Sequence, residues 1–153
     1  TPEQFDNLIQ LNLKASFFLA QSASQLMIEQ KIGGSILLMS SVTGVQAHEN
    51  LVAYGMTKAA LRMLAKSLVV ELSPYKICVN AIAPGATLTE RTLDDQDYEQ
   101  TWSKITPLGK PANTQDIAHA ALFLVHPHSK HITGQTLVVD GGWTAVSPSP
   151  FKQ

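Results

Sequence analysis

Apolar residues recur at helical spacing from the start of the chain. Phe5, Leu8, Ile9, Leu11, Leu13, Phe17, Phe18, Leu26 and Met27 outline a long helical segment with a bend near Asn12. Thr1, Pro2 and Gln4 fit its beginning, with Thr1 as N-cap, Pro2 at the first helical position and Gln4 closing a capping box. Gly33 and Gly34 end it. The run SILLMSS at 35–41 is short, apolar and bounded by glycine, the pattern of a strand buried on both faces. After a loop over 42–51, VAYGMTKAALRMLAKSLVVEL at 52–72 predicts a long helix, apolar on most sides and stopped by Pro74. ICVNAI at 77–82 predicts a second buried strand, and Ala83, Pro84, Gly85 and Ala86 turn the chain at its carboxyl end. Residues 87–113 are polar, hold Pro107 and Pro111, and carry Asp94, Asp95 and Asp97, which predicts a loop or lid. Thr114 can cap a helix reaching Val125, Gly134 marks a turn, and TLVVD at 136–140 predicts a third strand. Residues 144–153, ending in SPSPFKQ, are expected to fray.

Helices alternating with strands demand crossover connections, hence parallel strands with helices on both faces: a doubly wound α/β sheet. Ligands of such sheets bind outside the carboxyl ends of the strands. That rule places Ser40, Ser41, residues 84–89, Gly141 and Gly142 along one rim. With 153 residues, 44% of them hydrophobic and 15% charged, the chain has the composition of one globular domain. A single cysteine, Cys78, makes no internal disulfide, and a cytoplasmic location is expected. The start TPEQFDNLIQ lacks the basic and apolar stretches of a secretory signal, and no membrane-spanning run is visible. Eleven basic against twelve acidic residues, with a net charge of -1, leave no electrostatic footprint for nucleic acid. The expected partner is a small molecule.

Tyr54 and Lys58 lie four apart in the predicted helix and project from one face. An unperturbed phenol ionises at about pH 10 and is a poor base at neutrality, but an ammonium close by favours the phenolate. Such a pair alone is common. It gains meaning from Ser41, thirteen residues earlier at the end of one strand, and from Pro84 and Gly85 at the end of the next. Cys78 reads as a small buried hydrophobe. His119, His126, His128 and His131 show no convincing metal-ligand spacing, and Asn80 reads as a tie between loops.

Taken in order, LNLKASFF around Asn12, SILLMSSVTG, AYGMTKAAL, CVNAIAPGATLT, DIAHAALFL and ITGQTLVVDGGW resemble the short-chain dehydrogenase/reductase family over nearly the whole chain. The resemblance implies a Rossmann-like fold and a nicotinamide cofactor, NAD or NADP. It implies Tyr54 as the general acid or base, Ser41 as a hydrogen-bond partner of the substrate oxygen, and Lys58 as the residue that favours the Tyr54 phenolate and binds the nicotinamide ribose. Asn12 would hold a water in a proton relay. Pro84 and Gly85 would bring backbone against the nicotinamide, with Thr87 and Thr89 candidates for its carboxamide. His48 would contact the substrate, with Ser41 and Tyr54.

The sequence departs from the family at its beginning. A dinucleotide fold opens with a strand and a glycine-rich turn whose amides receive the pyrophosphate, and neither is present here. Residues 1–153 are therefore expected to be the carboxyl-terminal portion of one domain, with the first strand of the fragment left as an exposed edge. The loop bearing His48, Glu49 and Asn50, and the segment bearing Glu90, Arg91, Asp94, Asp95 and Trp102, point to a sugar, polyol or other small polar substrate. Two alternatives stand beside this reading: a reductase of 3-oxoacyl thioesters on an acyl carrier protein, with Arg91, Lys104 and Lys110 as contacts, and a non-catalytic binding or scaffold remnant. The apolar helices at 11–27 and 52–72 resemble the surfaces by which the family forms homodimers or homotetramers.

Overall fold

The expected capping box opens α1 (Pro2–Ile9): Thr1 Oγ1 accepts from the Gln4 amide at 3.3 Å, and Gln4 Oε1 accepts from the terminal amine of Thr1 at 2.9 Å. The bend expected near Asn12 is a π-helical turn, Gln10–Lys14, which leads into α2 (Ala15–Glu29). The computed structural model describes residues 1–92 and 94–147. Its main sheet consists of β1 (Gly34–Met39), β2 (Ile77–Pro84) and β5 (Thr136–Val139), all parallel, in the order β1-β2-β5. α3 (Val52–Leu72) connects the first pair and α5 (Thr114–Val125) precedes the third strand.

One face of the sheet presents Leu38, Ile77, Val79 and Ala81 to Leu61, Ala65 and Leu72 of α3, with Met27 and Ile28 of α2 at the margin. Strand alternation turns Cys78, Asn80 and Ile82 the other way, and every residue from 77 to 83 is buried. Asn80, 1% exposed, is the expected tie: its Nδ2 donates to the Ile132 carbonyl at 2.8 Å and its Oδ1 accepts from the Gln135 amide at 3.0 Å. Cys78 is buried, with its thiol 3.3 Å from the Lys130 carbonyl.

The structure moves several expected boundaries. β1 stops at Met39, two residues short of Ser41, because the Ser41 side chain caps a 3-10 turn, Val42–Gly44. β2 continues past Ile82 to Pro84, where it still pairs with Val139. The cap of α5 is Asn113, not Thr114: Asn113 Oδ1 accepts from the Asp116 amide and Asp116 Oδ2 from the Asn113 amide, a reciprocal pair that leaves Thr114 as the first helical residue. Residues 87–113 are no plain loop. β3 (Thr87–Leu88) pairs with β4 (Ala112–Asn113), and α4 (Tyr98–Ile105) stands between them. Its single apolar face was hidden in a polar composition. Of the expected tail, Thr144 and Ala145 close a 3-10 turn from Trp143, while residues 148–153 lie outside the described residues.

Candidate active site

The carboxyl ends of β1 and β2 and the first two turns of α3 enclose a cleft of about 490 Å³. Its floor is set where β1 gives way to the 3-10 turn. Ser40, 3% exposed, donates its hydroxyl to the Lys58 carbonyl at 2.7 Å, while Ser41 Oγ accepts from the Thr43 amide at 3.2 Å. The acceptor side of the Ser41 hydroxyl is thus engaged by backbone, and its proton is left to point elsewhere. The two adjacent serines thus make different contacts.

Tyr54 and Lys58 share one face of α3. The Lys58 ammonium donates to the Met39 carbonyl at 2.9 Å and lies 5.4 Å from the centroid of the Tyr54 ring. Burial lowers the Lys58 pKa from its ordinary value, since its charge is partly removed from water. The helical turn between them is tied from the far side: Thr57 Oγ1 donates to the Tyr54 carbonyl at 2.7 Å and accepts from Asn12 Nδ2 at 3.2 Å. Asn12 therefore reaches the pair through Thr57, and it does not line the cleft. The π-helical turn delivers it, as such single turns commonly serve functional positions.

The opposite wall comes from the end of β2. Pro84, Gly85, Thr87 and Thr89 all line the cleft. A β-carbon at Gly85 would stand 2.7 Å from Asp140 Cβ and 2.9 Å from its Cα, so only glycine lets the ends of β2 and β5 close on each other. Thr87 Oγ1 donates to the Gly85 carbonyl at 3.0 Å, which rigidifies the turn. The Thr89 amide donates to Thr92 Oγ1, and Thr92 Oγ1 donates back to the Thr89 carbonyl.

Asp140 shapes the neighbouring rim. Partial burial pushes its carboxyl up, but hydrogen bonds from the Thr144 hydroxyl and amide and the Gly142 amide outweigh this and hold it below the usual carboxylate range. Its contribution to stability is whole above the unfolded value of about 3.9 and is lost as the pH falls through the lower folded value. Thermal unfolding of the wild type and Asp140→Asn should therefore differ most near neutrality and converge in acid. A constant difference across that range would remove the carboxylate from this role.

His48 lies apart from the lining of this cleft. Its ring packs on Trp143 with centroids 4.6 Å apart and planes tilted by 40°, and its Nε2 is buried with no hydrogen-bond partner among the described residues. Residues that the sequence reading left unassigned also line the cleft, among them Thr92, Tyr98, Thr114 and Ile117. Tyr98 and Trp102 at helical spacing were the available signal. Among the described residues, Arg91 and Lys58 are the cationic residues on the lining, and no carboxylate side chain is part of it.

This combination of parallel sheet, Tyr54 and Lys58 on one helix and Ser41 beside them defines a Rossmann-like α/β chain with a cleft at its strand ends. Residues 1–144 match the family described as Enoyl-(Acyl carrier protein) reductase, and the chain belongs to this family of short-chain dehydrogenases/reductases. It is 35% identical to a tropinone reductase homolog of Arabidopsis thaliana, over 94% of this chain and 56% of the relative. It is 38% identical to a 3-oxoacyl-[acyl-carrier-protein] reductase of Rickettsia typhi, over 94% of this chain and 60% of that protein. The crystal structure of a gluconate 5-dehydrogenase from Burkholderia cenocepacia, in complex with NADP and tartrate, superposes with a TM-score of 0.89 at 33% identity, covering 96% of this chain and 58% of the other. The chain thus spans little more than half the length of these relatives. Among the described residues no helix is long and apolar enough to cross a membrane.

Proposed function

We propose that the protein carrying this chain is an oxidoreductase that uses NAD or NADP to interconvert an alcohol and a carbonyl compound. The observation that carries this reading is the Tyr54 and Lys58 pair, fixed by Met39 and Ser40 at the end of β1 beside Ser41. The donor set suits an anionic dinucleotide: a cleft within the usual size of ligand pockets, lined by hydroxyls, Lys58 and Arg91, with the Pro84 and Gly85 backbone on one side. Lys58, Thr87 and Thr89 would hold the nicotinamide end. Bound there, the cofactor supplies or accepts the hydride.

The chain's own residues handle the proton and the geometry. Tyr54 gives a proton to the substrate oxygen in reduction and takes it in oxidation. Lys58 places positive charge beside the phenol and so stabilises the phenolate form. Ser41, with its acceptor side already engaged, donates to the substrate oxygen and orients it. Asn12 steadies the Tyr54 turn through Thr57, and a water held near it would extend a proton path to solvent.

A small polar substrate such as a sugar or polyol fits the hydroxyl-rich lining, and the gluconate 5-dehydrogenase likeness supports that class. Arg91 on the lining favours, as a second reading, a 3-oxoacyl thioester delivered by an acidic carrier protein, and the reductase of Rickettsia typhi is a relative of that kind. Exposed Leu19 of α2 and Met56, Met63 and Val70 of α3 support association of identical subunits into a dimer or tetramer, which sedimentation of the natural protein checks. The test of the reading is a thermal-shift titration of that protein with NADH and NADPH, followed by turnover of polyols and 3-oxoacyl thioesters. Saturable stabilisation by one cofactor and turnover are the expected results. Absence of both would leave the binding-remnant alternative.

A further inference from the structure

α4 is held across the molecule by aromatic contacts along one side. Tyr98 lines the cleft and its hydroxyl oxygen accepts from the Thr87 amide at 3.3 Å. One turn on, Trp102 meets Trp143 edge to face, with centroids 4.9 Å apart and planes at 83°. Trp143 in turn stacks on His48 at 4.6 Å. Three segments distant in sequence are joined at this stack: the loop between Ser41 and Tyr54, helix α4, and the turn after β5.

The turn that presents Trp143 is built for the purpose. Gly142 has φ of 90°, a conformation open to glycine at little cost, and the Asp140 carboxylate accepts three hydrogen bonds from Gly142 and Thr144 around it. The Leu108 amide donates to the Gly141 carbonyl at 3.2 Å, tying the chain beyond α4 to the same turn. Trp143 is thereby fixed, and α4 docks on it through Trp102. Edge-to-face aromatic pairs of this geometry are favourable beyond their burial. The His48 Nε2 is buried at this stack and has no hydrogen-bond partner among the described residues.

We propose that Trp143, with Trp102 and His48, is a positioning device for the substrate side of the cleft. The stack sets the distance of α4 from the end of β2, and through Tyr98 and Thr87 it determines how tightly a substrate is enclosed. These residues act through α4 and are not themselves acid, base or cofactor ligands. The inference rests on the oxidoreductase reading of the same cleft.

The natural full-length protein carries the test, with glycerol, gluconate and butane-2,3-diol as probe substrates and NAD or NADP as cofactor. Trp143→Ala should raise KM for the probe that is turned over at least tenfold while kcat and the cofactor Kd change by less than about threefold. Trp143→Phe should restore most of the KM. Trp102→Ala, which removes the other ring of the contact, should reproduce the KM effect and serves if the turn does not tolerate alanine. Trp102 and Trp143 are the two tryptophans of these 153 residues, and their coupled contribution to the near-ultraviolet circular dichroism is read as the wild-type spectrum minus that of each variant. That signal should vanish in either alanine variant without loss of far-ultraviolet signal. Loss of the signal with unchanged KM overturns the inference, as does a parallel loss of kcat and cofactor affinity, which marks a structural role alone. A wild type inactive on these probes and unable to bind either cofactor fails the oxidoreductase reading first, and the inference with it. An active wild type whose variants keep their KM fails the inference only.

Discussion

Tyr54→Phe is expected to lower turnover by about 10²–10⁴-fold, the range that a positioned proton-transfer group contributes, with cofactor affinity nearly unchanged. The substitution removes one oxygen. The ring remains over the Lys58 ammonium, Lys58 keeps its bond to the Met39 carbonyl, and Thr57 still holds the Tyr54 backbone carbonyl. Nothing that shapes the cleft depends on the phenol hydroxyl, which makes no hydrogen bond within the described residues. The loss should therefore fall on kcat, read at saturating cofactor, while titration of NADH or NADPH against the variant gives the wild-type Kd within about twofold. Full activity in the phenylalanine variant would take the proton-transfer role away from Tyr54, and an inert wild type would take away the whole reading.

Gly44→Ala is expected to destabilise the protein by about 3 kcal/mol, the upper part of the usual range for overpacking, and to lower the melting temperature by about 6–12 °C. A β-carbon there would stand 2.6 Å from the Lys58 carbonyl carbon, 2.7 Å from the Ala59 nitrogen and 2.9 Å from the Lys58 carbonyl oxygen. These are backbone atoms in the middle of α3 and have no rotamer to retreat into. Relief requires moving the 3-10 turn or the helix, and either motion disturbs the Ser40 hydrogen bond to the Lys58 carbonyl beside Ser41. Activity should fall with stability, unlike in the Tyr54 variant. The same turn is held by Arg62, whose Nη1 donates to the Gly44 carbonyl. A melting temperature within 2 °C of the wild type, by the scaling just used, would show that the turn yields more easily than its contacts imply.

Much of the site could be read from local chemistry. The spacing of Tyr54 and Lys58 on one helix face, the apolar strands and the Thr1 capping box all depend on neighbours within a few residues, and each is present, with the strand ends shifted by one or two residues. The π-helical turn at Asn12 was legible as a bend, but its purpose was not. Asn12 meets Thr57 across 45 positions of sequence, a contact that no local pattern encodes. The segment 87–113 shows the reverse failure. Its polar composition points to a loop, yet α4 forms because Trp102 finds an aromatic partner in Trp143 and the Tyr98 hydroxyl accepts from the Thr87 amide of β3, and β3 and β4 pair because two short extended pieces are brought side by side.

The sequence by itself determined the alternation of helices and buried strands, hence a parallel sheet, and the residue types able to transfer a proton at its rim. Hydrophobic periodicity and capping are local properties and carry that information directly. Tertiary structure alone decided which of those residues meet. It set Lys58 on the Met39 carbonyl, Ser40 on the Lys58 carbonyl, the Gly85 turn on Asp140, and His48 on Trp143 instead of the cleft. Each contact joins residues far apart in the chain, and its position depends on where two strands end relative to a helix, a distance set by the packing of the whole sheet and not by any one segment.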